Sequence, residues 1–147
     1  MIFSKSFGYA LRGMLYVALM NEAKNRIHLN EIAEKLAVPR YFLAKIMNKL
    51  AKEGVLDSDK GHKGGFSIND KTMATPLFKL VKITGDTDIF DSCALRLRKC
   101  NSNSPCPLHY EIASLRNQWQ KLLAETTIND LLKKDQPDFI KSIATIS

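Results

Sequence analysis

Residues 30–56 read NEIAEKLAVPRYFLAKIMNKLAKEGVL. Asn30 can accept a backbone N–H from the next turn, so it is expected to cap a short helix whose buried face is Ile32, Ala33 and Leu36. Pro39 then suits the first turn of a second helix, where a missing N–H costs little because it has no internal partner. In that second helix Phe42, Leu43, Ile46, Met47 and Leu50 form one apolar stripe, while Arg40, Tyr41, Ala44, Lys45, Asn48, Lys49 and Lys52 lie largely off it. Gly54 is placed to end it. Two helices of about eight and fifteen residues joined by so short a turn make a helix-turn-helix.

The flanks fit around that unit. Upstream, between Ser4 and Ala23, the apolar positions Phe7, Leu11, Met14, Leu15, Ala18 and Leu19 recur at helical spacing, and an extended piece, RIHL, leads into Asn30. Downstream, VLDSDKGHKGGFSIND (55–70) predicts a hairpin whose tip uses the positive φ angles that Gly61, Gly64 and Gly65 allow, carrying Lys60, His62 and Lys63. Thr75-Pro76 pairs a capping hydroxyl with a first-turn proline for the helix LFKLVKIT, which Gly85 closes. Ile112, Leu115, Trp119, Leu122 and Leu123 predict a long helix from His109 to Glu125, followed by TINDLLKK, a short helix capped by its first Thr. The last residues, DFIKSIATIS, read as a loosely held tail. The expected fold is mainly α with a small β-hairpin wing: a winged helix-turn-helix over residues 1–72, packed as one unit with a loop and helices over residues 73–147.

Composition narrows the function. The 147 residues suffice for one core, and 22 Lys and Arg against 15 Asp and Glu give a net charge of +7, which suits a polyanionic partner. No apolar run reaches the roughly 20 residues that a membrane helix needs, since YALRGMLYVALM is interrupted by Arg12. With no secretory leader pattern, a reducing cytoplasm is the expectation. No phosphate-binding glycine loop, zinc-protease helix or nucleophile elbow is present, so the chain does not read as an enzyme.

All three cysteines fall in CALRLRKCNSNSPCPLH (93–109). Three cysteines cannot all pair within one chain, which favours metal binding or thiol chemistry over a disulfide framework. Cys93, Cys100 and Cys106, with His109 as the natural fourth ligand, have donor atoms suited to an iron-sulfur cluster or zinc. The spacing Cys-x6-Cys-x5-Cys-x2-His lacks the paired Cys-x2-Cys knuckles of common zinc sites. Arg96, Arg98 and Lys99 are placed to offset the negative charge of a thiolate-bound centre. The plainer reading is three cysteines packed as small hydrophobes.

Taken together, YALRGMLYVAL, the helix-turn-helix, the wing KGHKGGF, the cysteine stretch and WQKLLAETTINDLL resemble the IscR and NsrR type of bacterial winged-helix transcription regulators, over nearly the whole chain. The resemblance implies that the helix after Pro39 is the recognition helix, that Cys93, Cys100 and Cys106 ligate a cluster, and that the helix around Trp119 carries a dimer interface. In NsrR-type members a carboxylate of the first helix is the fourth ligand to a four-iron cluster; the matching position looks like Gly8, which cannot ligate. IscR-type members have a histidine three residues past the third cysteine, which His109 matches, so a 2Fe-2S cluster is favoured over 4Fe-4S or zinc. Asp88, Asp91 or a partner-chain residue are the alternative fourth ligands, and a purified preparation can have lost the cofactor.

Arg40, Tyr41, Lys45, Asn48 and Lys49 are the candidates for the major groove of double-stranded DNA, and Lys60, His62 and Lys63 for phosphate or the minor groove. Against this stands an ordinary solvated helix face; His28 reads as an ordinary polar residue, as does His62 in respect of metal. The stripe Ile112, Leu115, Trp119, Leu122 and Leu123 has more apolar face than one small domain covers, so a homodimer on a palindromic operator is expected. The rivals are a winged-helix regulator without a cluster, using thiol oxidation or structural zinc, and a small redox, cluster-transfer or thiol-dependent protein.

Overall fold

The computed structural model describes residues 3–21, 23–92, 95, 101–134 and 142. Cys93, Cys100, Arg96, Arg98, Lys99 and the expected tail apart from residue 142 lie outside the described residues.

Helix α1 (Lys5–Met20) starts at Ser4, whose Oγ accepts from the Phe7 N–H at 3.1 Å. Its middle is buried nearly all round, with Ala10, Met14 and Val17 fully covered. Helix α2 (Leu29–Leu36) buries Ile32, Ala33 and Leu36, as the sequence predicts. Its start differs: the N-cap is His28 and Asn30 lies within the first turn, its side-chain oxygen accepting from Arg40 Nε. The reason lies in the preceding residue, since Ile27 forms an antiparallel bridge with Phe66 that holds the chain extended right up to His28. The turn after α2 runs through Ala37 in the left-handed region, φ 53° and ψ 43°.

Helix α3 (Arg40–Lys52) follows Pro39, which stands one residue outside it as N-cap, and stops at Gly54. Leu43, Ile46, Met47 and Leu50 are buried; Phe42, expected on the same stripe, is 56% exposed. It lies at the edge of the stripe, over a cavity between α3 and the helix that follows the wing.

The wing is the antiparallel pair β1 (Asp57–Asp59) and β2 (Gly65–Ser67), in register Asp57 with Ser67 and Asp59 with Gly65. Ile27 exchanges two backbone hydrogen bonds of 2.8 Å with Phe66, so RIHL adds a third line of pairing. Gly61 and Gly65 have φ of 101° and 146°, as the hairpin expectation requires, but Gly64 is there for space. A Cβ on Gly64 would stand 2.1 Å from the Asp59 carbonyl oxygen.

Helix α4 (Leu77–Thr84) begins after Pro76 and closes at Gly85, before a 3-10 turn over Asp86–Phe90. Thr75 does not cap it: the buried Thr75 hydroxyl donates to the Lys71 carbonyl at 2.9 Å, because the chain has already turned inward there. Helix α5 (His109–Glu125) has the expected bounds, and α6 (Ile128–Lys133) opens with a capping box between Thr127 and Asp130. Two backbone bonds, Leu77 N–H to Thr126 O at 2.9 Å and Ile128 N–H to Thr75 O at 3.1 Å, stitch α4 to the α5–α6 junction. One apolar cluster joins Met14, Leu43, Met47, Leu50, Leu80, Val81, Leu123 and Ile128. Each fully buried Leu or Ile in it contributes about 1.5–3 kcal/mol relative to exposure.

Candidate nucleic-acid interface and thiol loop

Packing the α3 stripe inward turns Arg40, Tyr41, Lys45, Asn48 and Lys49 to solvent, all five exposed. The Arg40 bond to Asn30 ties the start of α3 to α2. The Lys45 ammonium sits 4.5 Å from the centre of the Tyr41 ring, an intrahelical cation–π contact that holds both side chains on the outer face. At the wing tip Lys60, His62 and Lys63 are exposed as well. The tip is braced from below: His28 Nε2 lies 3.2 Å from the His62 carbonyl oxygen, and Arg26 pairs with Asp59 at 2.5 Å.

An open polar groove of about 720 Å³ runs between α3 and the wing, lined by Arg26, Asn48, Lys52, Asp57, Asp59 and Lys60 among others. Arg26 and Lys52 extend the set that sequence reasoning singled out. Lys52 was findable, since it follows Asn48 by one helical turn; Arg26 enters only through the bridge at Ile27. The two carboxylates there are engaged, Asp59 by Arg26 and Asp57 by the Asn69 side-chain amide at 3.0 Å.

A polar network fixes α2 against α1. Glu31 accepts from the Tyr16 hydroxyl at 2.8 Å and pairs with Lys24. Burial alone would raise the Glu31 pKa, but the hydrogen bonds from Lys24 and Tyr16, with the charges of Lys24 and Lys35, outweigh it and hold the carboxyl below its usual range. The Tyr16 hydroxyl is pushed up, first by burial and then by its bond to Glu31 and that residue's charge.

In the thiol stretch, Cys106 is half-buried and His109 is the first residue of α5. The His109 N–H donates to the Cys106 carbonyl at 2.9 Å, so the two potential ligands share one turn. The His109 ring meets the exposed Tyr110 ring edge-on, with centroids 5.0 Å apart. Two turns further along α5, Arg116 is buried and its guanidinium donates to the carbonyl of Ser92, the residue before Cys93. Sequence reasoning missed Arg116, which carries no signal except a cation in an otherwise mixed helix. Among the described residues no three metal-ligating side chains converge, and two of the three thiols lie outside them. By chemistry the set fits: three sulfurs and an imidazole match the donors of iron-sulfur centres.

The α5 stripe divides. Leu123 turns into the chain's own core, Ile112 and Trp119 are half-buried, and Leu115 and Leu122 are exposed, Leu122 by 59%. Asp88 and Asp91 lie in and just after the 3-10 turn, both exposed, and Gly8 has open space where a Cβ would stand.

Comparison with known proteins agrees with this architecture. The Rrf2 family profile, described as iron-dependent transcriptional regulator, matches residues 3–134. A protein of Aquifex aeolicus (strain VF5), named as a candidate HTH-type transcriptional regulator, is 35% identical over 92% of this chain and 94% of its own. The HTH-type transcriptional regulator IscR of Vibrio atlanticus (strain LGP32) is 23% identical over 87% of this chain and 73% of its own. Among solved structures, CymR, the global cysteine regulator of B. subtilis, superposes with a TM-score of 0.73 at 16% identity, covering 91% of this chain and 98% of that one.

Proposed function

The chain belongs to the Rrf2 family of transcriptional regulators, and from that premise we propose that it is a DNA-binding regulator whose affinity is set by an iron-sulfur cluster held in the 93–109 loop. The family regulates transcription and is not enzymatic. Residues 1–72 act as the DNA-binding part and 73–147 as the sensing and dimerising part. Arg40, Tyr41, Lys45, Asn48 and Lys49 enter the major groove, and Lys60, His62 and Lys63 approach the adjacent phosphates or minor groove. Two chains pair through Leu115, Trp119 and Leu122 with Ile112, which matches a palindromic operator in the cytoplasm.

The observation that carries the sensing half is that both ends of the cysteine stretch are fastened to one helix. His109 begins α5, and Arg116, two turns on, holds the Ser92 carbonyl. Cys93, Cys100, Cys106 and His109 would hold a 2Fe-2S cluster, which supplies a centre that iron, oxygen, nitric oxide and thiol oxidants each alter. Any change in how the loop is ordered would thereby pass to α5, and so to the spacing of the two recognition helices. A tenfold change in occupancy requires only about 1.4 kcal/mol between the two states.

Purification without air, with a visible spectrum and iron and sulfide counts, followed by operator binding with and without the centre, tests this reading. Two irons and two sulfides per chain, lost in the Cys93→Ala, Cys100→Ala and Cys106→Ala variants together with the redox response, is the expected result. A colourless protein carrying one zinc per chain would overturn the iron assignment and leave the DNA-binding reading standing.

A further inference from the structure

Beside Phe42 lies a pocket of about 180 Å³ that shares two of its lining residues with the candidate DNA face. Its walls come from Ser6 at the start of α1, Phe42 and Ile46 of α3, and Ile83 and Thr84 at the end of α4, with Lys45 and Lys49 at α3 completing the lining. Helical periodicity assigns Phe42 to the buried stripe, yet it is more than half exposed because nothing fills the space beside it.

Size and charge define an occupant. A closed engineered cavity of about 150 Å³ lined by Leu, Ile and Phe holds benzene, so this pocket, which is partly open to solvent, has room for a single six-membered ring. Lys45 and Lys49 stand one helical turn apart, and among the described residues neither forms an ion pair, although the Lys45 ammonium meets the Tyr41 ring and a carboxylate would have to draw it from there. The nearby carboxylate, Asp86, is already engaged by the hydroxyls of Ser4 and Thr84. We propose that this cavity is an effector site for a small aromatic monocarboxylate, its ring against Phe42, Ile46 and Ile83 and its carboxylate on Lys45 and Lys49. Because those two lysines are also assigned to DNA, occupation withdraws them from the duplex and lowers operator affinity; this second half rests on the DNA-binding reading above.

The test uses benzoate as probe, with benzyl alcohol and acetate as controls that lack the charge and the ring. Titration of the full-length protein without DNA, followed by NMR, is expected to give saturable shifts at Phe42, Ile46 and Ile83 for benzoate, at least tenfold tighter than for either control. Ile83→Trp, which fills the cavity from a residue outside the DNA set, is expected to abolish those shifts while leaving operator affinity in buffer intact. Benzoate should weaken operator binding of the original chain and not of Ile83→Trp. No saturable shift at those residues would overturn the site, the result expected if a second copy of the chain covers the groove instead. Equal binding of benzyl alcohol would overturn the role of the lysines. Should Ile83→Trp fail to fold, shift mapping on the unaltered chain decides the matter alone. Shifts confined to the cavity with unchanged operator affinity would overturn only the regulatory half, and a chain with no operator affinity at all would instead point to failure of the DNA-binding reading.

Discussion

His28 reaches across to the wing: its Nε2 lies 3.2 Å from the carbonyl oxygen of His62, linking the N-terminus of α2 to the tip that carries Lys60 and Lys63. An imidazole facing a carbonyl must present an N–H, so the bond is a donation from His28. Its removal in His28→Ala leaves the Ile27 pairing in place and frees only the tip. Operator affinity is expected to fall about two- to fivefold, the equivalent of about 0.5–1 kcal/mol, as measured by fluorescence anisotropy. Unchanged affinity would show that the tip positions itself without this brace.

Lys45 and Lys49 are assigned to the duplex, and salt dependence tests each separately. A lysine seated on phosphate releases condensed counterions, so Lys45→Ala or Lys49→Ala should flatten the slope of log K against log salt by about 0.9. A lysine whose loss changes neither slope nor affinity belongs outside the interface.

Leu122 projects from α5 and Leu123 into the core, so adjacent substitutions separate assembly from folding. Leu122→Asp should leave helix content intact and weaken self-association about 100-fold, since a two-fold interface carries the change twice at about 1.4 kcal/mol or more each. Leu123→Asp should unfold the chain. Sedimentation velocity with circular dichroism distinguishes them, and a Leu122→Asp protein still dimeric at micromolar concentration would exclude this face.

Ala37 holds a left-handed conformation that costs a residue with a Cβ about 1–2 kcal/mol. Ala37→Gly relieves that strain at the price of a more flexible unfolded chain, and a net gain of about 0.5–1 kcal/mol is expected from urea melts. A loss of stability would mean that the turn draws more from the Ala37 methyl than its exposure implies.

The Tyr16–Glu31 pair makes stability depend on pH. A carboxyl held below its ordinary range adds stability above its unfolded pKa of about 4.3, and that contribution is lost as pH falls through the folded value. Tyr16→Phe should therefore cost about 1 kcal/mol near neutrality and progressively less below about pH 4. Urea melts at the two pH values measure the difference, and an equal cost at both would show that the Tyr16 hydroxyl does not act through the charge of Glu31.

The helices were legible in the sequence because their signals are local. α5 has the bounds that the Ile112 to Leu123 spacing predicts, and Thr127 caps α6 as its position implies. The departures share one cause, long-range contact. Asn30 yields the cap to His28 because Ile27 pairs with a strand 39 positions away at Phe66. Thr75 turns from capping because α4 is stitched to α6, and Phe42 stays exposed because Ile83 and Thr84 leave a gap beside it. The candidate DNA residues were readable as the complement of the α3 stripe. Arg116 was not, since a buried cation is defined by the carbonyl it meets, and no spacing along a chain records that meeting.

The stitch between α4 and the α5–α6 junction also decides how the molecule comes apart. Leu123 and Ile128 lie in the same apolar cluster as Met14 of α1 and Leu80 and Val81 of α4. A fragment severed after residue 72 would therefore leave α1 with one flank bare, and the distal half would have lost the floor it rests on. Neither portion is expected to fold alone, and a single cooperative transition is the expected outcome of a thermal melt of the whole chain.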